Sequence, residues 1–202
     1  MMKNNLLQIT LLALFFVACS SILFISSETS VHFHPAFPEY PEFLKSDTSW
    51  ADSVMRELSL EERIAQMIMV QAFSNMGQGH EKALVRLVRK YGIGGILFSR
   101  GDPISQATLT NHLQSVSEVP LLIAMDGENG LGMRLEKVIS YPKQISLGAV
   151  TDNRMIYRMG RDMAGQMKRI GVHLNFAPVA DINNNPLNQV IHIRSFGEDR
   201  EN

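Results

Sequence analysis

The residues best placed to do chemistry lie in a glycine-rich loop that follows a short apolar run. The run PLLIAM (120–125) ends at Asp126, and Glu128 and Arg134 follow in the same loop. We interpret the run as a buried strand that holds Asp126 rigidly at its end. The glycines after Asp126 would let the backbone turn sharply and approach a ligand closely. We therefore predict that this loop binds a ligand.

Other interpretations of these acidic residues remain open from the sequence. Asp126 could instead cap the next helix or bond loop amides. Glu128 lies farther past the strand end and could point to solvent. His173 lies within an apolar strand pattern and is expected to be a packing residue, as is His192. A metal site built from Asp126, Glu128 and His173 matches no common ligand spacing, so we predict no metal.

The elements that must position these residues follow from hydrophobic patterning. Ser59 and Glu62 have the spacing of a capping box, which predicts the start of a helix. Further helices are predicted over 81–92, 103–118 and 151–171, the last with a methionine stripe on its core face. The apolar runs predict strands over 67–73, 93–99, 119–125 and 171–179, with a fifth starting within 189–199.

Alternation of near-continuous apolar strands with helices predicts an α/β fold with a parallel sheet. An open doubly wound sheet and a closed (β/α)8 barrel of the TIM type both fit. No G-x-G-x-x-G turn opens a helix after the first strand, which disfavours dinucleotide binding. In either fold, ligands bind at the carboxyl ends of the strands. There we place Asp126, Asp181, Arg194 and Asp199.

Four to five strands make an incomplete barrel. Half a barrel would leave strand edges unpaired and its interior open. We therefore expect residues 50–202 to be the front part of a longer barrel domain, truncated within the barrel.

The N-terminal segment has the features of an export signal. Lys3 precedes an apolar core over 6–18, and small residues follow. The segment FVAC (16–19) is similar to a bacterial lipobox with Cys19, the only cysteine of the chain, as the lipidated residue. We predict that residues 1–27 are a signal peptide, lipoprotein anchor or membrane anchor. Residues 28–49, which contain three prolines, are predicted to form a tether.

Location and partners follow from this segment and from the charge of the chain. We predict a periplasmic or outer-membrane-anchored lipoprotein of a bacterium, with simple secretion or N-terminal membrane anchoring as alternatives. The net charge is −1 and no clustered basic surface is evident, so no nucleic-acid partner is expected.

Six motifs, in order, make the chain resemble a known family. They are RIAQMIMV (63–70), YGIGGILF (91–98), PLLIAMDGENGLGMRL (120–135), YPKQISLGA (141–149), GVHLNFAPVADIN (171–183) and RSFGED (194–199). Together they resemble the N-terminal barrel domain of glycoside hydrolase family 3 across roughly residues 50–202, closest to its bacterial β-N-acetylglucosaminidase branch. The resemblance implies a (β/α)8 barrel and no cofactor.

The resemblance also implies three substrate-binding residues. Asp126 corresponds to the aspartate that bonds sugar hydroxyls in the innermost subsite, and Arg194 to a sugar-contacting arginine. The N-acetylglucosaminidase branch typically carries D-x-E-G-G-x-V-x-R, of which this sequence keeps Asp126, Glu128, Gly130 and Arg134. Asn129 replaces the first glycine of that motif.

The implied activity is removal of non-reducing terminal β-N-acetylglucosamine by a retaining mechanism. The family's late-barrel aspartate nucleophile and its K-H-F-P-G-H-G loop have no counterpart in this sequence. We therefore place no catalytic residue within this chain and expect the fragment alone to be inactive. Alternatives are a β-glucosidase of the same family, favoured by Asn129 and the GED ending of RSFGED, a non-catalytic sugar-binding protein, and a metal-dependent hydrolase.

Overall fold

A four-stranded parallel sheet organises the molecule, for which a computed structural model describes residues 46–201. The strands lie side by side in chain order, each hydrogen-bonded to the next. They are β1 (Met69–Phe73), β2 (Gly95–Arg100), β3 (Leu122–Met125) and β4 (Leu174–Asn175). Parallel neighbours joined by helical crossovers confirm the predicted α/β fold.

Six helices accompany these strands within the described residues. They are α1 (Ser49–Glu57), α2 (Leu60–Gln66), α3 (Gly77–Tyr91), α4 (Pro103–Ser115), α5 (Gln144–Leu147) and α6 (Asn153–Arg169). Single 3₁₀ turns form at Leu131–Met133 and His192–Arg194. α1 begins at Ser49, one residue before the predicted start of the domain, and residues from Thr48 onward form one compact unit.

Side-chain alternation along the strands separates a helix-covered face from a more open one. Ile96 and Phe98 of β2 are fully buried and align with Ile123 and Met125 of β3. This row packs in one core cluster with helix residues such as Leu84 of α3. On the opposite face Leu122 and Leu174 remain 45% and 37% exposed. One covered face and one open face are consistent with the wall of a TIM-type barrel.

The helix boundaries follow local capping rules. The Ser59 backbone N–H donates to Glu62 Oε2 at 2.8 Å, and the Glu62 N–H donates to Ser59 Oγ at 3.3 Å. This capping box confirms the predicted start of α2. Gly92 ends α3 in the left-handed conformation with φ of 62°. Asp102 caps α4, which begins at Pro103.

The chain after β4 departs from the predicted strands. β4 spans only two residues instead of 171–179, and the fifth strand predicted within 189–199 is wrong, since a 3₁₀ turn forms there. Asn188 Oδ1 accepts hydrogen bonds from the backbone N–H groups of Val190 and Ile191. Such local bonds satisfy backbone groups that a strand would use in its ladder.

The predicted signal segment, Cys19 and residues 28–45 of the predicted tether lie outside the described residues. Between residues 46 and 201, no helix has the length and apolar character needed to cross a membrane.

Candidate functional site

Asp126 and Arg134 face each other across the loop that follows β3. Arg134 Nη2 donates to Asp126 Oδ2 at 3.1 Å, and Arg134 Nε donates to the Asp126 carbonyl oxygen at 2.9 Å. Their side chains are 28% exposed for Arg134 and 32% for Asp126. The structure thus brings these two predicted residues together and leaves part of each accessible. The 3₁₀ turn Leu131–Met133 between them shortens the loop so that the arginine reaches back.

Asn175, the last residue of β4, holds the backbone just after Asp126. Its Oδ1 accepts from the Gly127 N–H at 2.8 Å, and its Nδ2 donates to the Gly127 carbonyl oxygen at 3.2 Å. Both groups of the Gly127 residue are therefore satisfied by one side chain from the neighbouring strand. A Cβ at position 127 would lie 2.4 Å from the terminal methyl of Met167, so a larger residue there would require this side chain to move.

Glu128 is buried and ion-paired, which excludes the interpretation that it points to solvent. Arg194 Nη2 donates to Glu128 Oε1 at 2.7 Å, and Arg194 Nε lies 3.1 Å from both carboxylate oxygens. The Glu128 side chain is 6% exposed and that of Arg194 is 38% exposed. Arg194 lies 66 positions along the chain, which no local pattern around Glu128 could indicate.

Electrostatics connect the two ion pairs into one site. The hydrogen bonds to Glu128 raise the pKa of Arg194 above its ordinary value, partly offset by burial of the guanidinium. The negative charges of Glu128, Asp181 and Asp126 raise it further. The charge of Asp126, which is itself paired with Arg134, thus acts on the guanidinium of Arg194.

The segment that carries Arg194 is anchored on both sides. Ser195 is buried, and its hydroxyl donates to the carbonyl oxygens of Asp181 at 2.8 Å and Gly197 at 2.9 Å. Gly148, after α5, approaches the Phe196 carbonyl so closely that a side chain there would collide. Arg194 Nη1 donates to the Val190 carbonyl oxygen at 3.2 Å. The guanidinium is therefore presented from a fixed backbone.

Asn129, which replaces a glycine of the family motif, ties the loop to the following segment. It is buried, and its Nδ2 donates to Ser140 Oγ at 2.8 Å and to the Tyr141 carbonyl oxygen at 3.1 Å. Lys143 Nζ donates to Asn129 Oδ1 at 3.3 Å. Asn129 thus has a structural reason to be present and does not itself contact the Asp126 carboxylate.

The remaining predicted positions play lesser parts. Asp199 is exposed and accepts a hydrogen bond from the Glu201 N–H, and Asp181 contributes its carbonyl and its charge. His173 and His192 are both exposed, so the prediction that they are packing residues is wrong, although His173 Nδ1 accepts from the Ile123 N–H at 3.1 Å. Among residues 46–201, no three His, Cys, Asp or Glu side chains are grouped so that they could hold a metal ion.

Two residues of the site, the half-buried Asn175 and the buried Gln144, escaped the sequence analysis. Asn175 is a strand-end polar residue, so the rule that selected Asp126 would have found it had β4 been predicted to end at residue 175. Gln144, whose Nε2 donates to the Glu128 carbonyl oxygen at 2.7 Å, has no comparable signal.

An apolar groove of about 630 Å³ adjoins this site and shares Glu128 and Asn175 with it. The methionine stripe of α6 lines it together with Leu174 and Phe196. Glu128 borders the groove, whereas Asp126 and both arginines do not. The polar pairs after β3, rather than this groove, therefore define the candidate site.

Comparison with known proteins identifies the family. The glycosyl hydrolase family 3 N terminal domain matches residues 59–202. Beta-hexosaminidase A of Pseudoalteromonas piscicida is 37% identical over 128 residues, covering 57% of this chain and 21% of that protein. A β-N-acetylglucosaminidase/β-glucosidase of Cellulomonas fimi is 23% identical over 151 residues, covering 75% of this chain and 26% of that protein.

A solved structure supports the same fold. A β-glucoside phosphorylase with bound 2FGlc superposes with a TM-score of 0.69 at 24% identity, over 76% of this chain and 27% of that one. The chain thus spans only about a fifth to a quarter of the length of these proteins. Since the family domain matches most of the sequence, this chain belongs to glycosyl hydrolase family 3.

Proposed function

We propose that the protein hydrolyses O-glycosidic bonds and releases non-reducing terminal β-linked N-acetylglucosamine. The observation that carries this proposal is the pairing of Asp126 with Arg134 and of Glu128 with Arg194 in one site after β3. Asp126, Glu128 and Arg134, together with Gly130, are the residues of the N-acetylglucosaminidase motif that this sequence keeps. The 37% identical relative is named a β-hexosaminidase, which supports the same substrate class.

The exposed polar atoms suit the recognition of a sugar. The Asp126 carboxylate is one-third exposed and can accept hydrogen bonds from neighbouring hydroxyls. Arg194 carries five N–H groups, and its bonds to Glu128 and Val190 leave some of them free for a sugar oxygen. Discrimination between sugars needs such rigidly held groups, because a mismatched sugar leaves buried polar atoms unpaired.

We further propose a retaining mechanism whose nucleophile and general acid/base lie outside residues 46–201. Retaining enzymes need two groups that flank the scissile bond, one as nucleophile and one as acid/base. Asp126 and Glu128 do not form such a pair, since Glu128 is buried against Arg194. Their role in this proposal is therefore to bind substrate rather than to form or break its bonds.

The second candidate is β-glucosidase activity within the same family. The buried Asn129 departs from the glycine of the N-acetylglucosaminidase motif, and a 23% identical relative is named for both activities. Aryl β-N-acetylglucosaminide and aryl β-glucoside, assayed side by side, separate the two candidates. A protein that binds either free sugar but hydrolyses neither glycoside would support the non-catalytic alternative.

Export and lipidation at Cys19 belong to the same proposal. The lipobox-like FVAC sequence supports them. Metabolic labelling with a fatty acid tests this directly, because a Cys19→Ala variant should lose the label and leave the membrane fraction. Equal labelling of both proteins would contradict lipidation at Cys19.

Mutation of Asp126 tests the site in the protein expressed from its complete gene. Asp126→Ala should reduce kcat/KM by about ten- to a hundredfold, since one charged hydrogen-bond contact contributes roughly 1.5–3 kcal/mol. The exposed carboxylate of Asp162 on α6 provides a matched control, and Asp162→Ala should leave kcat/KM unchanged. Hydrolysis by Asp126→Ala at the rate of the control would overturn the assignment.

A further inference from the structure

We propose that Glu128 is a specificity-determining residue that keeps the sugar site electrically neutral and so selects neutral over anionic sugars. This inference rests on the proposed function, since it concerns which sugars the same site accepts. It assigns to Glu128 a role in substrate choice, although its side chain is buried.

The first step is that a free arginine would favour acidic ligands. A guanidinium forms bidentate hydrogen bonds with carboxylates, and this geometry makes arginine a preferred binder of such groups. Arg194 is 38% exposed, so an acidic sugar that entered the site could reach it. Without a partner for Arg194, the site would therefore bind uronic acids more tightly relative to neutral sugars.

The second step is that Glu128 already occupies the relevant edge of this guanidinium. It accepts from both Nε and Nη2, at 3.1 and 2.7 Å, which is the bidentate arrangement that a ligand carboxylate would need. Glu128 is 6% exposed and its carbonyl oxygen is held by Gln144 at 2.7 Å. A buried carboxylate bonded to Arg194, in a residue whose backbone is also held, is not readily displaced by a carboxylate from solvent.

The third step is the charge balance of the whole site. The negative groups are Asp126, Glu128 and Asp181, all of which act on Arg194. The positive groups are Arg134 and Arg194 in the ion pairs and Lys143, which reaches the loop through Asn129. Three charges of each sign give a neutral site, and the two other carboxylates would repel an incoming acid. Loss of Glu128 alone would leave the site with one excess positive charge.

The test compares two competitors that differ at one carbon. Glucose and glucuronic acid differ only at C6, where a hydroxymethyl group is replaced by a carboxylate. Their Ki values are measured against hydrolysis of aryl β-N-acetylglucosaminide, with the protein expressed from its complete gene. The wild type should bind glucose more tightly than glucuronic acid. Equal or tighter binding of glucuronic acid by the wild type would overturn the proposal without any variant.

The decisive variant is Glu128→Gln, which keeps the shape and one acceptor oxygen but removes the charge. Its ratio of Ki for glucuronic acid to Ki for glucose should fall at least tenfold. Glu128→Asp retains the charge and should keep the ratio of the wild type, even if its overall activity drops. A merely structural role would weaken both competitors alike and leave the ratio unchanged, which would overturn the proposal.

A double variant tests whether the change in the ratio of Ki values is caused by the charge of the site. In Glu128→Gln/Arg194→Gln the charge of the site is again balanced, so the ratio should return towards that of the wild type. Failure of the wild type to hydrolyse any neutral aryl glycoside would refute the proposed function instead. Normal hydrolysis with an unchanged ratio in Glu128→Gln refutes only the role of Glu128.

Discussion

Two ion pairs from one loop differ in almost every physical respect. Asp126 and Arg134 are eight positions apart, and each side chain is about one-third exposed. Glu128 and Arg194 are 66 positions apart, and the carboxylate is 6% exposed. Asp126 and Glu128 are thus only two positions apart, yet Asp126 belongs to a partly exposed pair, here called the rim pair, and Glu128 to a buried pair.

The difference in burial implies that the two pairs contribute differently to stability. Exposed ion pairs contribute about 0–1 kcal/mol to stability, because water screens the charges and competes for the hydrogen bonds. Removing one partner of a buried pair costs about 3–5 kcal/mol, because the other charge remains in a poorly hydrated place. The rim pair is therefore available for a ligand, whereas the buried pair joins the loop after β3 to the segment after β4.

The largest expected effect comes from breaking the buried pair. Arg194→Ala should lower the free energy of unfolding by about 3 kcal/mol, the lower end of the range for buried pairs, because Arg194 is itself 38% exposed. Urea denaturation measures the loss. Arg154→Ala serves as control, since Arg154 is 84% exposed and paired only with Asp152. Equal stability of the two variants would remove the distinction between the pairs.

The next effect concerns Gly127, which lies between the two carboxylates. Asn175→Ala removes both hydrogen bonds to this buried glycine, and we expect a loss of about 2 kcal/mol in unfolding free energy. Asn175→Asp keeps an acceptor for the Gly127 N–H, so its free energy of unfolding should fall less than that of Asn175→Ala. Hydrogen exchange at the Gly127 amide should accelerate more in the alanine variant. Unchanged exchange in both variants would show that Asn175 does not hold the loop.

A smaller effect is expected at the rim pair. Arg134→Ala should cost at most about 1 kcal/mol of stability, since both partners are exposed to solvent. The same change should weaken sugar binding, because Asp126 loses the group that orients its carboxylate. Arg134→Lys keeps the charge but cannot bond both Asp126 oxygens in the same way. A stability loss as large as that of Arg194→Ala would contradict the proposed contrast.

The smallest effect lies far from both pairs, in the capping box of α2. Hydrogen bonds from the Ser59 backbone N–H and then the Ser59 hydroxyl lower the pKa of Glu62 below its ordinary value. A lowered pKa in the folded state stabilises the protein above the unfolded value, and this contribution is lost as the pH falls through the folded value. Ser59→Ala should therefore lower Tm slightly at pH 7 and less at pH 3. A larger difference at pH 3 would contradict this sign.

The stabilisation that depends on the pKa of Arg194, unlike that of the capping box, is not lost at acidic pH. Its pKa is raised by Glu128, so the stabilisation on the arginine side is present below the unfolded value and is lost only at strongly alkaline pH. Between pH 5 and pH 9 the Arg194→Ala loss should therefore not decline through titration of this arginine.

Prediction from sequence succeeded where the interactions are local. The capping box of α2 and the glycine that ends α3 depend on residues within a few positions of one another, and each of the strands β1 to β3 lies in one continuous apolar run. The placement of Asp126 and Arg134 in one loop is local as well. Prediction failed after β4, where asparagine side chains satisfy the backbone and no fifth strand forms.

By itself, the sequence determined the α/β alternation, the family and the loop that carries Asp126, because periodicity, caps and motifs are properties of short segments. Only the tertiary structure decided that Glu128 turns inward to Arg194 and that Asn175 holds Gly127. The physical reason is that a buried carboxylate or a buried peptide group must find a partner, and this partner can lie anywhere along the chain. Such partners become visible only when neighbouring strands bring their ends together.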